Sequence, residues 1–490
     1  MKTRLEFGFI LCLMLFLISS ELLAQAPDTL WTRTYGGDEV DAAYGVAPLP
    51  SGGFMVGGYT PHDVGLPDDM WYFRVDANGN MVWEDKIGHY DRHERAYTLE
   101  PALDGQFILA GELISSDNTM DVYVVKADSN GNGWGFGYVT HNEDSYAYDA
   151  IATHYGGVLA VGHQTLDQAG HNVYTVGTSP TGLFMWDDVF DWGWSERAFG
   201  VDRTNDGGYI VTGETNSFGL HSYGIFLQKL DGFGLQTGFT VFTWQGDQHG
   251  QSVRQTLDGN YIIVGYRVKT TSPDRDIVVI KTDSSGSEEW HKIYATENHD
   301  VATDVQVLPD GGYILTGTGK RSPLWHSSDV LVFRLDHNGD TLWTKYIGEE
   351  WMNESAYQIR CLPDGGYIIA GARAITTGNT DAYLVRLGPD PVTAIPSEPT
   401  NQAADFLLQQ NYPNPFNPTT MINYQLAMTN HVLLTVYDRL GREITTLIDK
   451  QVPAGRHKVQ WDASNLPSGL YFYRIQAGNY QEVKKMILIK

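Results

Sequence analysis

The sequence predicts an all-β chain: a seven-bladed β-propeller followed by a small C-terminal β-sandwich. Three observations carry this prediction. A pattern of turn, apolar anchor, three mostly apolar residues and glycine, as in Pro309 to Gly317, occurs seven times. Its anchors are Phe54, Phe107, Val158, Tyr209, Tyr261, Tyr313 and Tyr367, at steps of 51 to 54 residues. A glycine follows each anchor four residues on: Gly58, Gly111, Gly162, Gly213, Gly265, Gly317 and Gly371. A fixed period of this length means one supersecondary unit copied in a row. Second, each unit holds four strand-like pieces cut by turns, the plan of a propeller blade. Third, the repeat is displaced by one strand at its two ends.

The chain opens on Lys2 and Arg4, then the apolar run Phe7 to Ile18, then small residues. This reads as a secretory signal over residues 1–24, with an apolar core too short to span a bilayer. Its removal takes away Cys12 and leaves Cys361 as the one mature cysteine. Stability then rests on packing, not on disulfides.

The repeat array is expected over residues 27–388. In its sixth unit Val301 to Leu308 alternates as a first strand, and Asp310-Gly311-Gly312 makes a tight hairpin that needs positive φ. Tyr313 to Thr316 is the second strand and Asp329 to Leu335 the third. Asp336-His337-Asn338-Gly339-Asp340 turns the chain into Thr341 to Ile347, the fourth. A tryptophan recurs in the fourth piece at Trp31, Trp83, Trp134, Trp186, Trp290 and Trp343, and only the fourth unit lacks it. One large ring per blade at one place is expected to fill the seam against the next blade.

The register at the ends is informative. Residues 28–36, containing Leu30 to Gly36, match a fourth strand with no third strand before it. Asp381 to Leu387 is a third strand with no tryptophan-bearing fourth strand after it. If the leading segment pairs beside the trailing one, the ring closes and no long edge is left exposed.

A Pro/Ser/Thr/Ala-rich linker follows over residues 389–404. Within residues 405–490 the repeat is gone and fresh strand patterns appear at residues 421–426, 432–437, 443–447, 457–461, 470–476 and 481–489. They predict a small antiparallel sandwich. The formal charge of the chain is −26. Residues 405–490 hold nine Lys/Arg against six Asp/Glu, so the rest is more acidic still. Such a surface repels phosphate backbones, which excludes nucleic acid as an expected partner.

The C-terminal residues carry a specific likeness. NYPNPFNPTTMINYQL (Asn411–Leu426), VYDRLGREITTL (Val436–Leu447) and the run Pro453–Lys490 resemble, in family order, a type A sorting domain of the type IX secretion system. That family is related to an immunoglobulin-like domain of flagellar hook-capping proteins. The resemblance implies an immunoglobulin-like sandwich, the type IX secretion machinery as partner, and passage across the outer membrane of a Gram-negative bacterium. It implies release or surface attachment afterwards, and assigns Gly469, Tyr471, Gly478, Lys485 and Lys490 to the terminal sorting motif. The repeats resemble the tryptophan-docking repeats of quinoprotein propellers and, with a longer Gly-to-Trp spacing, the Asp-box hairpins of sialidases. Neither active site carries over. Seven anchors and one mature cysteine do not fit the quinoprotein plan, and no arginine triad is present.

Candidate chemistry is sparse. The turns at Asp76, Asp128 and Asp336 look like starts of calcium loops, but a strand begins after five residues, so their carboxylates are expected to cap the turn's own amides. Acids stand three before the first-strand aromatic or its equivalent: Asp41, Glu94, Glu196, Asp300 and Glu354. Repetition marks them as scaffold, although such a ring could hold a cation. His154, His163 and His171 lie on different pieces of one unit and do not make a metal site. Departures from the repeat carry more weight. Trp192 and Trp194 are extra rings beside Glu196, and Trp325, His326 and Trp351 fall in loops expected on the same mouth. Exposed tryptophan beside carboxylates suits sugar binding. No nucleophile elbow, His-Glu-x-x-His or phosphate loop occurs. The sequence therefore predicts a secreted or surface-bound monomer, without cofactor or metal, that binds glycan or protein on its loop-rich face. The alternatives are an extracellular lyase or hydrolase acting on polysaccharide, and a structural surface-layer component.

Overall fold

A computed structural model describes residues 25–63, 65–114, 119–138, 144–166, 170–220, 222–295, 299–321, 327–376, 378–391, 407–408, 411, 414, 416–426, 430–439, 442–452, 455–477 and 480–488. Residues 1–24, expected to be a secretory signal, lie outside them. The chain divides into two compact units, residues 1–393 and 394–490.

The first unit holds seven four-stranded antiparallel sheets among the described residues, which are the seven blades of the propeller. Blades 1 to 6 span residues 42–87, 93–138, 145–190, 196–242, 247–294 and 301–347. Blade 7 takes three strands from residues 354–387 and its fourth from Thr29–Tyr35. Thr32 pairs with Val385 and Tyr35 with Ala382, so the displaced ends close the ring as the register predicted. Asp41 N donates to Thr380 O at 2.6 Å and Gly388 N to Asp28 O at 2.9 Å on either side of that strand.

Packing explains why the blades hold. Each apolar cluster of this unit lies between two consecutive sheets. Met55 and Tyr72 of blade 1 meet Leu99 and Leu109 of blade 2, and Ile314 and Val332 of blade 6 meet Ile359 and Ile369 of blade 7. The last cluster joins Ile368 and Leu384 of blade 7 to Val46, Val56 and Phe73 of blade 1, so the core is continuous around the ring. Each such side chain contributes about 1.5–3 kcal/mol on burial.

The repeat tryptophans Trp31, Trp83, Trp186 and Trp290 lock outer seams. Trp31 Nε1 donates to Ala77 O at 3.1 Å, and Trp83 Nε1 to Ser129 O at 3.2 Å, both in the next blade's outer turn. A Cβ on Gly79, Gly131, Gly234 or Gly339 would meet the indole of Trp31, Trp83, Trp186 or Trp290. These turn glycines have positive φ, 78° at Gly79 and 79° at Gly339. The turn acids cap their own loops: Asp76 Oδ1 accepts Asn78 N and Asn80 N, each at 2.8 Å.

The second unit is the immunoglobulin-like sandwich. One sheet pairs Leu407–Leu408, Thr419–Leu426 and Gly455–Asp462, and the other pairs Glu443–Val452, Asn430–Asp438, Gly469–Ala477 and Tyr480–Leu488. Ile422, Val436, Trp461, Tyr473 and Met486 fill the space between them.

Candidate functional site

The recurring glycine and the site share one cause. In all seven blades the first strand slips register by one residue against the second, at a β-bulge. The residue just before the bulge pairs with the repeat glycine, as in Ala43 with Gly58 and Ala302 with Gly317. There a Cβ would strike a first-strand carbonyl: Ala42 O at Gly58, Val301 O at Gly317. Only glycine lets the backbones approach this closely.

A bulge leaves one residue unpaired and re-aims it. The seven bulged residues are Tyr44, Tyr97, Tyr148, Phe199, Gln251, Thr303 and Tyr357. All seven line a single cavity of about 320 Å³ on the ring axis. Five are aromatic and contiguous. Tyr357 stacks on Tyr44 with centroids 4.1 Å apart. Tyr44 meets Tyr97 edge-on at 5.3 Å, Tyr97 meets Tyr148 at 5.9 Å, and Tyr148 meets Phe199 at 5.0 Å. Gln251 and Thr303 complete the circle with polar groups, so the lining departs from sevenfold symmetry.

The cavity floor is ionic. Asp304 accepts from Ser252 Oγ at 2.9 Å, and from Arg254 Nη2, Arg360 Nη1 and Ile359 N at 3.1 Å each. Glu100 pairs with Arg360 and accepts Gln358 Nε2 at 3.1 Å. These bonds join blade 7 to blades 2 and 6, which only an axial position allows. Asp149 accepts Thr98 Oγ1 and Val201 N at 3.0 Å. Burial, with the charge of Glu100, pushes its carboxyl up to about 7. Burial opposes the charge on Arg254, yet the surrounding carboxylates, Asp304 foremost, outweigh it and raise its pKa.

Towards the blade-to-blade loops, a second polar layer lies above the rings. Glu112 accepts Tyr97 Oη at 2.7 Å, and Glu214 accepts Arg197 Nη1 at 3.1 Å and pairs with His249 at 2.5 Å. His163 stacks on Tyr146 at 4.4 Å and meets His171 at 4.6 Å. Burial, then the charges of His171 and Arg197, drive its pKa down to about 3, and its Nδ1 has no hydrogen-bond partner. His163 is therefore a neutral imidazole. His154 lies elsewhere, with Nε2 3.3 Å from Gly208 O. No three His, Cys, Asp or Glu side chains form a metal-holding group among the described residues.

Among the described residues, no sequence-predicted ligand residue lines this cavity. Trp192 is half-buried, 4.1 Å from Phe239 and packed into the core between blades 3 and 4. Glu196 is fully buried and accepts Thr215 Oγ1 at 3.3 Å and Ser217 Oγ. Trp194 and Trp351 are exposed. Trp325 and His326 lie outside the described residues. Of the residues that the resemblance assigns to a sorting motif, Gly469 opens a strand and Tyr471 Oη donates to Pro467 O at 2.8 Å. Lys485 pairs with Phe472 in the sheet, and Gly478 and Lys490 lie outside the described residues. The bulged residues carry a sequence signal, since each stands ten before its anchor and five of the seven are aromatic, but the pattern alone does not aim them at the axis.

Comparison with known proteins separates the two units. Residues 410–490 match the family described as a secretion system C-terminal sorting domain. No curated protein sequence matches the chain. Among solved structures, a family PL25 polysaccharide lyase, an ulvan lyase bound to -[GlcA(1-4)Rha3S]-, is similar at 10% identity and TM-score 0.51, covering 73% of this chain and 96% of that one. PorZ, a surface component of the type IX secretion system of Porphyromonas gingivalis, is similar at 11% identity and TM-score 0.40. That likeness covers 93% of this chain, which spans 60% of the PorZ chain's length. At such identity the likeness concerns fold alone. The chain is a secreted β-propeller protein bearing a type IX secretion system C-terminal sorting domain, which directs it to the cell surface or the extracellular space.

Proposed function

We propose that the propeller is a glycan-binding module whose contact surface is the aromatic cavity on the ring axis. The observation that carries this reading is the convergence of the seven bulged residues, five of them rings, on one opening. Ring faces suit the C–H faces of sugars, and hydroxyls and amides such as Tyr97, Gln251 and Gln358 suit their hydroxyls. The volume falls at the lower end of ordinary ligand pockets. The ionic floor would stop a glycan from threading through the ring. Exposed Trp194 and Trp351 offer outlying contacts for a longer chain. The test is a glycan array with wild type and with Tyr357→Ala and Tyr148→Ala. The reading expects at least about tenfold weaker binding in both variants, and unchanged binding would refute it.

A second reading, a polysaccharide-cleaving enzyme, is favoured by one observation. His163 is neutral, has an unpartnered Nδ1, and stands beside Tyr146, Tyr148 and Arg197. A neutral imidazole offers a lone pair for a sugar proton, although burial that holds its pKa at about 3 makes it a weak base. Ultraviolet absorbance of unsaturated uronate products, with His163→Ala as control, tests it.

A further inference from the structure

We propose that the seam where blade 7 closes on blade 1 binds a divalent cation of the calcium class, through the carboxylates of Asp41 and Asp381 and the amide oxygen of Asn379. Asp41 is 1% exposed. Its Oδ2 accepts Gly37 N at 2.7 Å. Its Oδ1, Asp381 Oδ1 and Asn379 Oδ1 are all buried without a hydrogen-bond partner. A buried acceptor left unpaired costs about 1–3 kcal/mol, more for a charged group, and the two carboxylates that converge beside Gly36 call for a common partner.

The backbone brings them together. Asp41 N donates to Thr380 O at 2.6 Å, and Asn379 Nδ2 donates to Gly37 O at 3.1 Å, which leaves the amide oxygen unused. A Cβ on Gly36 would collide with Asp41 Oδ2 and sit 2.9 Å from Asp381 Oδ1. Glycine thus keeps open the space across which the two carboxylates face each other. Burial foremost raises the pKa of both groups; a hydrogen bond from Thr60 and the charge of Lys86 temper the rise at Asp41, while at Asp381 the charge of Asp41 adds to it and that of Arg373 opposes it.

Several acids at other seams have a cationic side chain beside them, although Asp69, Asp276, Asp329 and Glu354 each also keep a carboxylate oxygen without a hydrogen-bond partner. Asp69 pairs with His62 at 2.7 Å, and Asp276 with Arg267 and Lys269 at 3.1 Å. Asp329 pairs with Arg321 at 3.3 Å, and Glu354 with Arg373 at 3.4 Å. Asp41 and Asp381 have no such ion pair among the described residues. A cavity of about 390 Å³, lined in part by Gly36, Asp38, Glu39 and Asp41, opens on the seam and gives an ion its approach.

The donors are all oxygen, which selects a hard cation. Calcium accepts six to eight oxygens in flexible geometry, so water and main-chain carbonyls can complete its shell, whereas magnesium demands a tight octahedron. Extracellular calcium sites work at roughly 10⁻⁴–10⁻³ M. The cation would pin residues 36–41 to residues 379–381, the point where the ring is sewn shut.

The experiment uses the full chain. Thermal unfolding is followed in chelator, in Ca²⁺, in Mg²⁺ and in NaCl at matched ionic strength. Terbium luminescence sensitised by Trp71, which lines the same cavity, reads binding directly. The expected result is a propeller transition raised by about 3 °C or more in Ca²⁺ at tenfold the Kd, with terbium affinity reduced at least about tenfold in Asp41→Asn and Asp381→Asn. Asp381 is only partly buried, so its variant guards against a folding failure at Asp41. Equal shifts in all three salts, or terbium affinity unchanged in both variants, overturns the proposal. So does a calcium-insensitive transition that rises from pH 8 to pH 5, because the two carboxyls would then share a proton.

Discussion

Tyr44 and Tyr357 stack face to face across the seam between the first and last blades, 4.1 Å between centroids and 8° from parallel. Each is the bulged residue of its first strand. The ring closure and the cavity wall are therefore the same contact. Tyr44→Ala and Tyr357→Ala should couple by about 0.5–1.5 kcal/mol in a double-mutant cycle on urea unfolding. Additive effects would show that the stack adds nothing beyond burial.

The repeat glycine should be intolerant of even one methyl. In Gly317→Ala the Cβ meets Val301 O, a backbone atom that cannot swing aside. Destabilisation of about 1–3 kcal/mol or more is expected from urea midpoints. Gly238→Ala is the control, because its Cβ would find only Lys229 side-chain atoms at 3.5 Å. That variant should be neutral or slightly stabilising.

Removing the indole Nε1 at a seam separates packing from hydrogen bonding. Trp83→Phe keeps a ring but leaves Ser129 O without its donor. It should cost about 1 kcal/mol. Trp343→Ala, at a site 3% exposed, should cost about 3–5 kcal/mol. Melting temperatures of the two variants give the comparison.

Burial foremost pushes the carboxyls of Glu94 and Glu354 up to about 7. In the unfolded chain they titrate near about 4.3. Folding thus takes up protons between these values. The stability they contribute is fully present below about pH 4.3 and is lost as pH rises through 7. Glu354→Gln should match wild type at pH 5 and melt above it at pH 8, measured in chelator. The reverse order would place the folded pKa below the unfolded one.

Deleting residues 29–35 removes the fourth strand of blade 7 and bares the edge of Asn379–Leu387. An exposed edge of this length invites strand pairing between molecules. Size-exclusion chromatography should show oligomers where the intact chain runs as a smaller species. An unchanged elution volume would mean that the ring does not depend on this strand.

Much of the architecture was legible because repeated local chemistry is legible. Glycine at +4, tryptophan in the fourth strand and an acidic turn before it recur at one spacing, and each reflects a backbone need that sequence shows directly. The mismatch between Leu30–Gly36 and Asp381–Leu387 disclosed the closure, because an unpaired strand at each end has only one economical partner. The site was harder to find. Strand alternation assigns faces by parity, and a bulge shifts parity by one residue, so Tyr44, Tyr97 and Tyr148 could not be aimed from the pattern. Trp192 drew attention as an extra ring, yet Phe226 and Phe239 absorb it into a seam.

The sequence by itself determined the number of blades, the order of strands, the closure of the ring and the export tag, since these follow from periodicity, turn residues and local motifs. Only the tertiary structure decided which residues meet on the axis. Seven bulges from strands some fifty residues apart converge there, and Glu100, Asp304 and Arg360 become neighbours although about 50 to 260 residues separate them. Such contacts depend on how many blades complete the circle, a property that no single repeat contains.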